Sequence, residues 1–235
     1  MANKYLMTLE EFATPAGKKL AWRSLYLGDH HFLRVVYDNS HEIAPGVWRT
    51  FQPSPKQIKV WADQGIKTII NLRGKRNSIE QSGFHFLEEH AAKVHNITLI
   101  NFRAYSREAP SKKFILELKD LFESINYPMM MHCKSGADRA GVAATLFMFL
   151  HLGEPLDEAL IQLSYKYGHV KHGKTGVIDH FFEVYKDYAK AQSAEPTQDH
   201  FLNWVETIYD EAAVKASFKP TWLGGLITET ILRRE

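Results

Sequence analysis

The stretch Met131-His132-Cys133-Lys134-Ser135-Gly136-Ala137-Asp138-Arg139-Ala140-Gly141 lies between two apolar segments. Residues 128–132 (PMMMH) read as a short buried strand. Residues 139–152 are apolar nearly all round and read as a buried helix. Strand, glycine-containing loop and helix in that order belong to an α/β layer. Upstream, residues 47–50 (VWRT), 67–72 (KTIINL) and 97–102 (ITLINF) are further strand candidates. Helical patterns separate them, and helices dominate after residue 139. The alternation predicts an α/β fold, a short central and mostly parallel sheet flanked by helices.

The helices announce themselves by caps and spacing. Ser54 before Pro55 starts one, with Ile58, Trp61 and Ala62 as its stripe and Gly65 as its end. Residues 78–95 form another, with Phe84, Leu87, Ala91 and Val94 on one face. Ser111 caps a third, where Phe114, Ile115, Leu118, Leu121 and Phe122 recur at helical spacing. Residues 155–167 and 176–191 are expected to be two more. After the linker-like residues 191–197, a last helix carries Phe201, Trp204, Val205 and Ile208. The expected organisation is an N-terminal extension (1–44), a main domain (45–192) and a helical C-terminal extension (193–235).

Composition narrows the classes. The chain has 235 residues, 45% hydrophobic and 24% charged, which excludes wholesale disorder and fibrous architectures. Lys and Arg total 29 against 27 acidic residues, a net charge of +2 that gives no argument for nucleic acid. No apolar run approaches the ~20 residues of a membrane span, and no signal-peptide core is read at the N-terminus. There is one cysteine, Cys133. An internal disulfide and a cysteine-based zinc cluster are therefore excluded, and a cytoplasmic location is expected.

The neighbours of that cysteine suit one chemistry. Consecutive backbone N–H groups at a helix N-terminus cradle an anion, and Gly136 permits a tight turn around it. Arg139 can clamp two phosphate oxygens with its planar fork. The same positive field stabilises a thiolate. Phosphate and thiolate thus want the same surroundings.

This segment resembles the H-C-x5-R signature of the cysteine-dependent protein tyrosine and dual-specificity phosphatases. Upstream, Pro45-Gly46-Val47-Trp48-Arg49 with Gln52-Pro53, and residues 65–73 (GIKTIINLR), resemble the opening strands of compact bacterial and plant-fungal members. The resemblance covers roughly residues 45–190. It implies Cys133 as nucleophile, Arg139 as phosphate clamp and His132 behind the cysteine. Lys134, Ser135, Gly136 and Ala137 would surround the phosphate. The implied reaction is phosphomonoester hydrolysis through a phosphocysteine intermediate, without metal or cofactor. The substrate would be a phosphorylated protein, with an inositol, phosphoinositide or other lipid phosphate as the alternative. A phosphate-recognition module with little turnover is a second alternative.

Three departures from the family pattern matter. Ala140 stands where a hydroxyl usually helps the thiolate leave, so slow hydrolysis of the phosphoenzyme is expected. The loop that should supply an acidic Asp, residues 103–110 (RAYSREAP), holds only Glu108. Asp138 is the competing acid, since a D-R ending resembles myotubularin-type and Sac-type phosphoinositide phosphatases. Lys134 adds a cation beside the nucleophile, and Arg73, Lys75, Arg103 and Arg107 are expected at the same rim. Extra cations resemble enzymes acting on highly phosphorylated lipids.

Other motifs are weaker. Gly168 to Thr175 has the spacing of a nucleotide-binding P-loop, but the preceding segment reads as a helix where that mechanism needs a strand. Asp29-His30-His31 has no partner cluster for a metal. His85, His90 and His95 step by five and do not share a helix face. The basic-aromatic N-terminus and residues 222–234 are expected to pack on the domain, with contact to a membrane surface as the alternative. Oligomeric state is not legible.

Overall fold

A computed structural model of the protein describes residues 4–220. The chain divides into two compact units. One comprises Met1–Arg103 with Asn126–Gly136, the other Ala104–Ile125 with Ala137–Glu235.

The first unit holds every strand among the described residues. They are β1 (Leu6–Met7), β2 (His41–Ala44), β3 (Val47–Thr50), β4 (Thr68–Asn71), β5 (Gln81–Ser82), β6 (Thr98–Asn101) and β7 (Met129–His132). Five form the central sheet in the order β2-β3-β7-β4-β6. β7 lies in the middle, parallel to β3 and β4, and β6 runs parallel to β4. The fold is therefore α/β with a mostly parallel sheet flanked by helices, as the alternation implied. Only β2 is antiparallel, pairing with β3 across Pro45-Gly46. β4 and β7 are buried at every position, which explains their unbroken apolar runs.

Helices α1 (Leu9–Ala13), α2 (Pro15–Arg23), α3 (His31–Val36), α4 (Pro55–Asp63) and α5 (Gly83–Val94) complete this unit. Ile58 of α4 and Ala91 and Ala92 of α5 pack with Ile69, Ile97 and Met130. The capping box at Ser54 and Gln57 starts α4 as the sequence implied. The N-terminal segment packs rather than hangs: Met7, Phe12, Ala21 and Leu25 cluster with Phe84, Phe86 and Leu87. Residues 78–95 do not form one helix. Gln81 and Ser82 pair instead with Met7 and Leu6, so α5 begins at Gly83. Val94, expected on its apolar face, is exposed.

The second unit is helical among the described residues: α6 (Lys112–Ser124), α7 (Asp138–Leu146), α8 (Leu156–Ala159), α9 (Val177–Ala191), α10 (Gln198–Thr207) and α11 (Glu211–Ser217). α7 is buried from Ala140 to Leu146 and passes into a wider π-helical turn over Phe147–His151. Phe181, Phe201, Trp204 and Tyr209 join α9 and α10 through ring contacts. Residues 155–167 break where one helix was expected. α8 makes a single turn, and 3-10 turns follow at Leu160–Leu163 and Tyr165–Tyr167, separated by extended Ser164. Ile208 lies just past α10 and is exposed, outside the buried stripe of Phe201, Trp204 and Val205. The expected packing of residues 222–234 lies outside the described residues.

Candidate functional site

β7 is the central strand, and its C-terminal end delivers Cys133. Strand pairing extends past the ladder on one side, where Leu72 N–H donates to His132 O at 2.9 Å. Cys133 is a free thiol, 2% exposed. The three following carbonyls are all held within the first unit. Lys134 O accepts from the Gln52 N–H at 3.3 Å. Ser135 O accepts from Asn39 Nδ2 at 2.9 Å, and Gly136 O from an Arg49 terminal nitrogen at 2.7 Å. A trans peptide points its N–H opposite to its C=O. Tying these three carbonyls to β3 and its surroundings therefore turns the Ser135, Gly136 and Ala137 amides the other way.

Gly136 is required by this arrangement. Its φ is +73°, and a Cβ there would lie 2.9 Å from the Thr50 carbonyl carbon and 3.0 Å from Phe51 N. Arg49 is fully buried on β3, a role its place in an apolar strand did not advertise.

His132, behind the cysteine, is buried, with Nε2 2.6 Å from Glu88 Oε1. The contact is close without being aligned as a hydrogen bond. Asn71 Nδ2 donates to the other Glu88 oxygen at 3.3 Å. Burial opposes the Glu88 charge, but His132, His85 and Gln52 outweigh it and hold the carboxyl below its ordinary range. Nearby, burial and the Arg73 charge push His85 down to about 4. Glu88 was missed in the sequence. Its signal was a charge in register with Phe84 and Ala91 on the apolar face of α5.

A second charged group surrounds Asp29. Arg73 reaches both its carboxylate oxygens at 2.9 Å, and Arg34 reaches Oδ2 at 2.6 Å and also donates to the Asp29 carbonyl. Burial raises the Asp29 carboxyl, yet the charges of Arg73, Arg34 and Lys134 bring it down to about 2. This corrects the expectation for Arg73. It is not an exposed rim cation: it is 8% exposed, spread over the Phe84 ring at 4.0 Å and bound to Asp29 and Gln52. Lys75 pairs with Glu89 at 2.7 Å, and Arg103 donates to Arg73 O. Lys134 is half-buried.

In the second unit, Asp138 is the first residue of α7 and is buried, while Arg139 beside it is half-buried and Ala140 fully buried. Asp138 Oδ1 lies 2.7 Å from His169 Nδ1, and His169 Nε2 lies 2.6 Å from Asp179 Oδ2. Burial opposes the imidazolium, but the two carboxylates push His169 up to about 9. Glu108 is part-exposed and pairs with Lys215 of α11 at 2.5 Å; Arg107 beside it is half-buried. The P-loop-like stretch is not a nucleotide cradle. A 3-10 turn precedes Gly168, His169 is buried, and Thr175 Oγ1 donates to Val170 O. Among the described residues, no cluster of His, Cys, Asp and Glu is placed to hold a metal ion, and no helix is long and apolar enough to cross a membrane.

A family model described as "DSP-PTPase phosphatase fused to NAD+ Kinase" matches residues 32–169, more than half of the chain. No protein of curated function matches the sequence. Among similar solved structures is TpbA from P. aeruginosa, one of whose structures is a complex with pTyr. It is 13% identical, with TM-score 0.48, covering 60% of this chain and 82% of its own. The active form of Tk-PTP is 16% identical, with TM-score 0.46, covering 73% and 98%. A putative phosphatase from Neisseria meningitidis is 20% identical, with TM-score 0.43, covering 55% and 88%.

Proposed function

Because this chain belongs to the family of dual-specificity-type protein tyrosine phosphatase domains described as fused to NAD+ kinase, we propose that it hydrolyses phosphomonoesters at Cys133. The cysteine-dependent phosphatase class is a property of the family; the residue roles are our reading. The observation that carries it is the set of three tied carbonyls at Lys134, Ser135 and Gly136, directly after the thiol. Their amides point away from those ties, as a phosphate cradle needs.

In the first step the Cys133 thiolate attacks phosphorus, a P–S bond forms and the bond to the leaving oxygen breaks. Arg139 spans two equatorial oxygens, and an acid protonates the leaving oxygen. Water then attacks phosphorus, the P–S bond breaks, and inorganic phosphate leaves. We assign the acid to Glu108. Asp138 is committed to His169, whereas Glu108 is part-exposed and, among the described residues, pairs with Lys215 of α11. The reading takes residues 45–192 as the phosphatase domain and places it in a reducing compartment, the cytoplasm, where a lone thiol stays reduced.

A phosphorylated protein is the favoured substrate over a polyphosphorylated lipid. Arg73, two residues past the end of β4, is bound to Asp29, which leaves fewer cations for extra phosphates. The test is phosphate release from p-nitrophenyl phosphate, phosphopeptides and phosphoinositides. Cys133→Ser abolishes release. Glu108→Gln spares the activated aryl phosphate and slows the phosphopeptide about 100-fold. Activity surviving in Cys133→Ser, or a phosphoinositide preferred over phosphopeptides, contradicts the corresponding part of the reading.

A further inference from the structure

We propose that His169 is a positioning residue for the phosphate clamp, a buried cation that ties Asp138, and with it the first turn of α7, to Asp179 on α9. The inference rests on the reading of Arg139 as the clamp. It goes beyond that reading by naming the residues that fix the clamp's backbone.

The geometry is two-sided. The His169 ring is 1% exposed, and each of its nitrogens faces a carboxylate oxygen, at 2.7 Å and 2.6 Å. An ionised carboxylate only accepts hydrogen bonds. Both contacts are satisfied together only when both ring nitrogens carry protons, that is, by imidazolium. The neutral ring can donate to one side and must turn a lone pair towards the other carboxylate. The protonated ring therefore holds the bridge closed, and its loss opens one side.

The place of the bridge gives it a consequence. Asp138 is bonded to Arg139 through the backbone and opens α7. Ala137, in the N-cap position, carries a methyl side chain that makes no capping hydrogen bond. The anchor comes instead from His169, 31 residues on, which follows left-handed Gly168. Asp179 sits in the first turn of the 15-residue α9, a rigid base for the far side. The charged groups around the bridge are Asp138 from α7 and Asp179 from α9. Lys171, His172, Glu183 and Lys219 border the surface pocket that Asp179 also lines. The stretch singled out for P-loop spacing thus acts on phosphate at one remove, through the loop's own helix.

The test uses the full chain carrying Cys133→Ser, with inorganic phosphate as ligand. The His169 ring is first titrated by NMR, and the proton is expected to stay on until about pH 9. Phosphate affinity should hold through pH 8 and weaken as that proton leaves. Asp179→Asn removes one carboxylate without touching the loop. Its affinity curve should fall at least one pH unit earlier, giving about threefold weaker binding at pH 8.5 and approaching tenfold by pH 10. His169→Gln should weaken phosphate about tenfold at pH 7 and flatten the alkaline fall. If His169→Gln fails to fold, Asp179→Asn with the ring titration still decides. A role confined to stability lowers the melting temperature of Asp179→Asn and leaves the curve unmoved, which overturns the inference, as does a neutral His169 at pH 7. Activity surviving in Cys133→Ser would instead overturn the underlying site. Abolished activity with an unshifted Asp179→Asn curve defeats this inference alone.

Discussion

Replacing Asp29 by Asn removes the counter-charge shared by two arginines. In the folded protein the Arg34, Arg73 and Asp29 side chains are 10%, 7% and 3% exposed. An amide keeps the shape but cannot balance the guanidinium groups. Breaking a buried pair from one side typically costs about 3–5 kcal/mol, because the remaining charge stays buried. At about 2–4 °C per kcal/mol for a chain of this size, the melting temperature should fall by about 10 °C. The pH dependence gives an independent handle. The Asp29 carboxyl drops from 3.8 to about 2 on folding, which corresponds to about 2 kcal/mol. Because the folded value is the lower one, this stabilisation is fully present above pH 4 and is lost as pH falls towards 2. Urea unfolding of wild type and Asp29→Asn at pH 7, 4, 3 and 2.5 should show a wide gap that narrows by about 2 kcal/mol below pH 4. Arg73→Met should cost less than Asp29→Asn, since Arg34 still pairs. A melting temperature within about 2 °C of wild type at pH 7, or a gap that does not narrow in acid, would refute the reasoning.

Two further changes probe the cysteine loop. Gly136→Ala forces a Cβ into the Thr50–Phe51 backbone at positive φ, so stability should fall by about 2–4 kcal/mol and kcat by about 100-fold, as read by thermal melting and steady-state assay. Ala140→Ser supplies, at a fully buried position, the hydroxyl that the family pattern implies for expelling the thiolate. Rapid-quench kinetics should show phosphoenzyme hydrolysis about tenfold faster, the size of one added hydrogen bond, and a smaller burst than wild type.

The parts of the fold legible in the sequence were those with local causes. The apolar runs of β4 and β7, the capped start of α4 and the all-round apolar α7 follow from composition over a few residues. What escaped depends on pairing across the chain. Gln81 and Ser82 carry no strand pattern; they become a strand because Leu6 and Met7 lie beside them. Arg73 looked like a loop cation because nothing in the spacing announces a carboxylate 44 residues away. Asp29, weighed as part of a metal triplet, is that carboxylate. His169 drew attention for glycine spacing when its chemistry lies in two aspartates from other helices. Helical period alone carried residues 155–167 too far, because it did not register the extended Ser164.

The tied carbonyls of Lys134, Ser135 and Gly136 have a thermodynamic consequence as well. Donors from Gln52, Asn39 and Arg49 set the path of the loop during folding, before any ligand arrives. On the proposed reading, an incoming oxyanion would then meet a preorganised surface and carry little of the entropy loss that ordering a mobile loop would demand. The discrimination shifts to shape. Oxyanions whose oxygens match the fixed directions of the amides, tetrahedral or trigonal-bipyramidal, gain all of them at once, and a planar ion such as nitrate gains only some.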